Sequence, residues 1–319
     1  MTNLDSKMLD FIDDFALSEA DLNERVEFLL SAFLPQKMIT TIYADGGNGK
    51  SYLSAAVAKA LAAKDSVRQI IYVDLDNPLS ALLERGYKEN LLNIPKIKYL
   101  HRGKIKIHPN ELLIQLESCA LGRNYEGVVL ILDSLRNFCD IDNDKQAMEL
   151  FERLMNLREA GATIIALHHS NKDGRNFKGS SNIRNSTDIM FALERLEGED
   201  GLVSVNLRAE KERVGIESKA FGIRLKDLML CEINPLVANM NAKTKDFVAK
   251  AKAHLSKGGA NKTQLLLACG FEKDDKFARG VLDDFEGIFW RVSSGGYKNK
   301  ALLYELIKGG ENERENFKL

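Results

Sequence analysis

Short, mostly apolar runs rich in β-branched residues alternate with amphipathic stretches along most of the chain. Met38 to Ala44, Gln69 to Asp74, Ile97 to Leu100, Val128 to Asp133 and Ala162 to Leu167 read as buried strands. Between them the spacing predicts helices over about Ser51 to Ala63, Leu79 to Tyr87, Asn110 to Ala120 and Asp144 to Ala160, the last stopped by Gly161. This alternation predicts an α/β fold with a mainly parallel sheet flanked by helices. Beyond Thr187 the runs Ile189 to Leu193, Leu202 to Leu207 and Ala220 to Leu225 follow one another without long helices between them.

The two ends differ from this core. Residues 1–37 predict a helical segment: Asp10, Asp13 and Asp14 interleave with Leu9, Phe11, Ile12 and Phe15, and a second cluster from Val26 to Phe33 ends at Pro35. The core spans 38–238 and a polar linker 239–245. Residues 246–310 then hold a helix from Asp246 to Leu255 and a second from Lys262 to Cys269, capped by Asn261. A third is capped by Asp274 or Asp275, and a hairpin runs from Ile288 to Tyr304 around a Ser-Ser-Gly-Gly-Tyr turn. Residues 311–319 form a frayed tail.

Composition narrows the partners. The 319 residues carry 45 Lys+Arg against 46 Asp+Glu, so any nucleic-acid contact must come from a local patch rather than bulk charge. No apolar run approaches the ~20 residues of a membrane span, and the first residues lack a secretory layout. Four scattered cysteines form neither a disulfide framework nor a zinc set. A cytoplasmic protein without membrane association is expected.

The chemistry is concentrated at Ala44-Asp45-Gly46-Gly47-Asn48-Gly49-Lys50-Ser51, between a strand and a helix. It ends as the phosphate-loop pattern GxxxxGK[ST] does, with alanine in place of the first glycine. Backbone N–H groups from Asp45 to Ser51 would cradle phosphates of ATP at a helix N-terminus, Lys50 would reach the β and γ phosphates, and the Ser51 hydroxyl would ligate Mg²⁺. Asp133, ending the most apolar strand, fits a second Mg²⁺ ligand. A carboxylate that orients attacking water belongs just past the Ile70 to Val73 strand, where Asp76 is the first candidate and Asp74 the second.

These motifs, with Asp133-Ser134-Leu135-Arg136, Leu167-His168-His169-Ser170, Gly179-Ser180-Ser181 and Asp188, resemble the RecA-like ATPases, and among them the RepA-type hexameric plasmid helicases. The resemblance covers roughly residues 30 to 230. It implies that His168 or His169 senses the γ-phosphate, and that the loop carrying Lys172, Arg175, Lys178 and Arg184 faces single-stranded DNA. Four phosphate contacts there would give a log–log salt slope of roughly −3. It also implies that Lys211 and Arg213 act on a neighbouring subunit's nucleotide in a homo-oligomeric ring, a hexamer. In this family a glutamate commonly stands where Asp76 is, so the shorter side chain affects turnover more than binding.

The C-terminal unit looks like a winged helix-turn-helix, with Lys276 and Arg279 on its third helix facing duplex DNA. Asp283, Asp284 and Glu286 on or just past the same helix oppose that contact. The expected whole is a Mg²⁺-dependent ATPase acting on DNA as a ring, a replicative or accessory helicase of a mobile element. The alternatives are an ATP-gated DNA-binding regulator and a loading ring that does not unwind.

Overall fold

The computed structural model describes residues 12, 15–22, 25–30, 32–171, 176–196, 201–294 and 302–307. The chain begins, in the described part, with a short 3₁₀ turn at Glu19–Leu22. A two-stranded antiparallel ribbon follows, β1 (Phe28–Leu30) and β2 (Leu34–Pro35). The second apolar cluster is therefore not the expected helix; most of the first lies outside the described residues. Leu29, Leu30, Phe33 and Leu34 are all buried, and the Phe33 ring meets Phe191 and Phe221 at 5.3 and 5.2 Å. Burying each such side chain is worth ~1.5–3 kcal/mol. Helix propensity differs among these residues by only a few tenths of a kcal/mol, so tertiary burial decides the conformation.

The core elements follow in the expected alternation. They are β3 (Ile39–Ala44), α1 (Lys50–Ala62), β4 (Gln69–Asp74), α2 (Leu79–Glu84), α3 (Tyr87–Asn90), β5 (Ile97–His101), α4 (Pro109–Ser118), β6 (Val128–Asp133), α5 (Asp144–Glu159) and β7 (Thr163–His169). A short α6 (Ser181–Ser186) leads into β8 (Ile189–Leu196), β9 (Leu202–Lys211), β10 (Lys219–Arg224) and β11 (Met229–Ile233). Gly86 splits the single helix expected from Leu79 to Tyr87 into α2 and α3.

All these strands form one nine-stranded sheet in the order β11-β10-β9-β8-β3-β7-β6-β4-β5. The pairs from β8 through β3 to β5 are parallel, and β9, β10 and β11 add antiparallel strands at the other edge. One face buries α1 through Leu53, Val57 and Leu61 together with Phe33 and Leu34; the other buries α5 through Phe151, Leu154 and Leu157. Both faces are covered, which explains why β3 and β6 are buried at every position. Because β3, β4, β6 and β7 run in the same direction, residues 44, 74, 133 and 169 reach one edge of the sheet together. Ligands of open α/β sheets bind at such carboxyl edges.

A short α7 (Pro235–Ala238) joins the core to α8 (Ala242–Leu255). The linker is shorter than the expected 239–245, because Asn241 caps α8 by accepting from the Thr244 N–H at 2.8 Å. Then come β12 (Ala260–Asn261), α9 (Lys262–Ala268), α10 (Lys276–Asp284), β13 (Trp290–Ser294) and β14 (Leu302–Leu306). The three strands pair antiparallel in the order β12-β14-β13. Phe247, Leu265, Leu282 and Trp290 give this unit its own core, and the Trp290 indole donates to the Leu282 carbonyl at 2.8 Å. Asn261 and Gln264 form a full capping box at α9, and Asp275 rather than Asp274 caps α10. No helix among the described residues is long and apolar enough to cross a membrane.

Candidate nucleotide-binding site

The turn between β3 and α1 is built on glycine conformations. Gly47 and Gly49 have φ of 81° and 95°, and a Cβ at Gly49 would lie 3.2 Å from Val203 and 3.3 Å from Val205. Only glycine meets both demands. Ala44 ends β3 without a positive φ, so alanine at the pattern's first position is unstrained. Asn48 is half-buried; Asp45 is exposed and its Oδ1 accepts the Gly46 N–H at 2.8 Å.

Lys50 is buried, and its ammonium donates to the Ala44 and Asp45 carbonyls at 2.7 and 2.9 Å. Burial disfavours that ammonium most, Asp133, Asp45 and Asp76 support it, and Arg136 works against it. The Ser51 hydroxyl donates to Asp133 Oδ2 at 2.8 Å. Burial first, then the neighbouring Asp74, push the Asp133 carboxyl up to about 6, against the opposing Ser51 hydrogen bond.

A hydroxyl beside an under-compensated carboxylate is a hard-oxygen pair suited to Mg²⁺, which typically takes one or two protein ligands and completes its shell with phosphate and water. Among the described residues no set of three or more His, Cys, Asp or Glu could hold a metal by itself. The donor set therefore fits a cation that arrives with a phosphate.

Asp74 and Asp76 take different places. Asp74 is fully buried, its Oδ1 accepting the Asp76 and Asn77 N–H groups at 3.1 and 3.0 Å and its Oδ2 the Tyr99 hydroxyl at 2.6 Å. It is an Asx turn that sets the path of the chain. Asp76, beyond that turn, receives four side-chain donors. Arg136 and Asn137 reach Oδ1 at 3.0 and 2.9 Å; Ser134 and His169 reach Oδ2 at 3.0 and 3.3 Å. Burial alone would raise its carboxyl, but these hydrogen bonds, led by His169, outweigh burial and hold it far below the usual carboxylate range.

The two histidines part company. Successive side chains of β7 alternate between faces. His169 joins Asp76, whereas His168 is fully buried and its Nε2 meets the Lys178 carbonyl. Burial pulls the His168 imidazole down to about 4, so it is neutral and Nε2 donates. The Lys178 N–H returns a bond to the His169 carbonyl at 2.9 Å, tying the following loop to β7.

In that loop Lys172 and Arg175 lie outside the described residues. Lys178 is exposed; Arg184, on α6, donates to the Glu210 carbonyl at 3.0 Å. Gly179 has a φ of 98°, and a Cβ there would stand 2.6 Å from the Ile141 carbonyl oxygen.

Lys211 and Arg213 are at the other edge of the sheet. Lys211 pairs with Met190 near the start of β3, and its ammonium donates to the Arg184, Asn185 and Thr187 carbonyls at 2.7, 2.9 and 2.6 Å. Arg213 lies 3.4 Å from Asp188, which also pairs with Arg158 and accepts the Ile39 N–H. Asp188 is thus an anchor of the fold, and six residues of β3 at ~3.3 Å each separate this corner from the phosphate loop.

A family model described as an AAA domain matches residues 5–175, more than half of the chain. The chain belongs to that family. It is accordingly a nucleotide-binding P-loop ATPase of AAA type, and the site just described is where such an ATPase keeps its phosphate loop. No curated protein matches it.

Several members of this ATPase site carried no expected role. Asn77 donates to both Asp74 oxygens at 3.1 Å and to Asp133 at 3.4 Å, and is itself held by Arg85 at 2.9 Å. Tyr72 bonds Ser54 at 2.7 Å beneath Asp133, and Arg195 donates to the Gly47 carbonyl at 3.2 Å. Ser134, Arg136 and Asn137 directly follow Asp133, so adjacency to that strand end was the available signal. For Asn77, Tyr72 and Arg195 no motif marks the residue.

Proposed function

We propose that this AAA-family chain is a Mg²⁺-dependent ATPase that works on DNA as a ring. The observation that carries the reading is the Ser51–Asp133 pair at 2.8 Å beside the Lys50 loop, with Asp76 at the same sheet edge. Backbone N–H groups from Asp45 to Ser51 receive the phosphates, the Gly46 N–H leaving Asp45 Oδ1, and Lys50 exchanges its two carbonyls for phosphate oxygens. Ser51 and Asp133 hold Mg²⁺, which when bound neutralises charge on the phosphates. Asp76 orients the attacking water; held so strongly anionic, it aligns the water by accepting a hydrogen bond rather than by keeping its proton. His169, sharing Asp76 Oδ2, responds to the terminal phosphate and passes the change to the loop through its carbonyl bond to Lys178.

Lys211 and Arg213 lie too far along β3 to serve their own chain's nucleotide, so they are assigned to a neighbour's. That makes the ring, taken as a hexamer, the active unit and the monomer idle. Single-stranded DNA is assigned to Lys172, Arg175 and Lys178; Arg184, the fourth cation of the expected set, is held on the Glu210 carbonyl. The C-terminal unit is assigned as a winged helix, with Lys276 and Arg279 exposed on α10 for duplex DNA. With the resemblance to RepA-type helicases, the reading extends to a replicative or accessory helicase of a mobile element.

A second reading, an ATP-gated regulator or loading ring without unwinding, is favoured by one feature. Asp76 and Lys211 both have their hydrogen-bonding capacity filled within the subunit. The deciding experiment is ATP turnover with and without single-stranded DNA, beside Lys50→Ala. Stimulation lost in that variant supports the motor; turnover indifferent to DNA supports the regulator or loading ring.

A further inference from the structure

A carboxylate has about four lone-pair sites, and the protein fills all four on Asp76. Water cannot take its place there until one donor leaves. Three of the four are held elsewhere as well. Ser134 is fully buried, and the His169 imidazole also meets the Ser134 hydroxyl at 3.4 Å. Asn137 has its amide orientation set by Arg102, which donates to its Oδ1 at 3.2 Å. Arg136 is the exception: its side chain is 53% exposed, and it reaches Asp76 through a single Nη2 contact at 3.0 Å. It also borders a polar cleft of about 600 Å³, shared with His108, Asn137 and Gln146, which leaves the guanidinium room to move. Its charge is felt at Lys50, where the terminal phosphate would lie.

Resting on the ATPase reading, we propose that Arg136 is the exchangeable cation of this site: it leaves Asp76 to bind the terminal phosphate of a nucleoside triphosphate in the same chain. Its departure opens one lone pair of Asp76 Oδ1 for the attacking water. A triphosphate is a more highly charged acceptor than one carboxylate, and the guanidinium fork matches phosphate oxygens. A diphosphate ends short of this position, so Arg136 stays on Asp76. The same residue thereby blocks water in the resting state and reports the γ-phosphate in the loaded one.

The test is equilibrium binding with Mg²⁺ present, using a fluorescent ADP and competition by unlabelled ADP and by ATPγS. Wild type, Arg136→Ala, Arg136→Lys and Lys50→Ala are compared, with thermal unfolding confirming that each folds. Arg136→Ala is expected to weaken ATPγS roughly tenfold or more, the scale of one charge-assisted hydrogen bond, and to leave ADP within about twofold. Arg136→Lys restores part of the loss. Equal weakening of both nucleotides, or weakening of neither, overturns the assignment while leaving the ATPase reading intact. A wild-type protein that binds neither nucleotide overturns that reading and this one together.

Discussion

Asp133 carries a cost that the fold bears for function, and Asp133→Asn should reveal it. The carboxyl is 2% exposed, lies beside Asp74, and is raised from 3.8 to about 6. At ~1.4 kcal/mol per tenfold change in proton affinity, keeping it ionised at pH 7.5 costs the metal-free protein ~3 kcal/mol relative to a neutral group. Asparagine is the same size, keeps an oxygen to accept from Ser51, and is never charged. The variant should therefore be more stable than wild type at pH 7.5 in metal-free buffer, by on the order of 2–3 kcal/mol and several °C in Tm.

The sign with pH follows from the same shift. A carboxyl raised on folding destabilises above its folded pKa, and the penalty shrinks as pH falls from about 6 towards 3.8. The stability gap between Asp133→Asn and wild type should thus fall to about half at pH 5. Turnover and Mg²⁺-dependent nucleotide binding should be lost at every pH. Denaturant titrations at the two pH values, without metal, measure the gap. A variant less stable than wild type at pH 7.5, or a gap that ignores pH, would refute the view that Asp133 is an uncompensated charge.

Asp76→Asn should lower kcat by ~10²-fold or more with nucleotide affinity little changed, whereas Asp74→Asn should lose about 1–3 kcal/mol of stability, because it turns an amide towards donors; the reverse pattern would exchange their roles. Lys211→Ala should destabilise the core by about 1–3 kcal/mol through the lost carbonyl bonds at α6, read by denaturant titration. Arg213→Ala and Lys50→Ala, each inactive alone, should recover turnover when mixed, since one supplies the cation and the other the phosphate loop; no recovery at any ratio would exclude action between subunits. Binding to single-stranded DNA should show a log–log salt slope of roughly −2 rather than −3, because Arg184 is engaged on Glu210 and leaves Lys172, Arg175 and Lys178.

The centre of the parallel sheet was legible because β3, β6 and β7 are buried along nearly their whole length and are therefore largely apolar. The Lys50 loop was equally plain, since the positive φ of Gly47 and Gly49 is a local demand that glycine itself marks, even though Val203 and Val205 also crowd Gly49. What escaped had no local signal. The ribbon at Phe28–Pro35 has residues compatible with a helix, and only burial against Phe191 and Phe221, more than 150 residues away, makes it a strand pair. β11 is short and mixes Met229, Cys231 and Glu232, so its strand character comes from pairing with β10. Lys211-x-Arg213 read as one functional pair, yet Lys211 meets three carbonyls of α6 and the turn after it, while Arg213 meets Asp188. Asp76 was ranked ahead of Asp74, but what separates their surroundings is turn geometry, which spacing does not carry: Asp74 closes an Asx turn and Asp76 lies beyond it.

That turn geometry also decides which carboxylate is left least compensated, and so where the proposed reading puts a cation. Asp74, Asp76 and Asp133 converge on one sheet edge, so three negative charges share a small volume. Asp74 is satisfied by Tyr99, Asn77 and two backbone N–H groups, and Asp76 by four side chains including the Arg136 guanidinium. Asp133 receives its one short bond from Ser51, with Asn77 and Tyr72 at 3.4 and 3.5 Å. Its carboxyl is pushed up to about 6, and Ser51 in the first turn of α1 reaches it. A divalent cation gains most where the charge is least compensated, which is between Ser51 and Asp133. The resting hydrogen bonds of Asp74 and Asp76 thus do more than hold the strand ends. On the proposed reading they would direct Mg²⁺ to the residue adjoining the phosphate loop and keep Asp76 ionised until a phosphate arrives.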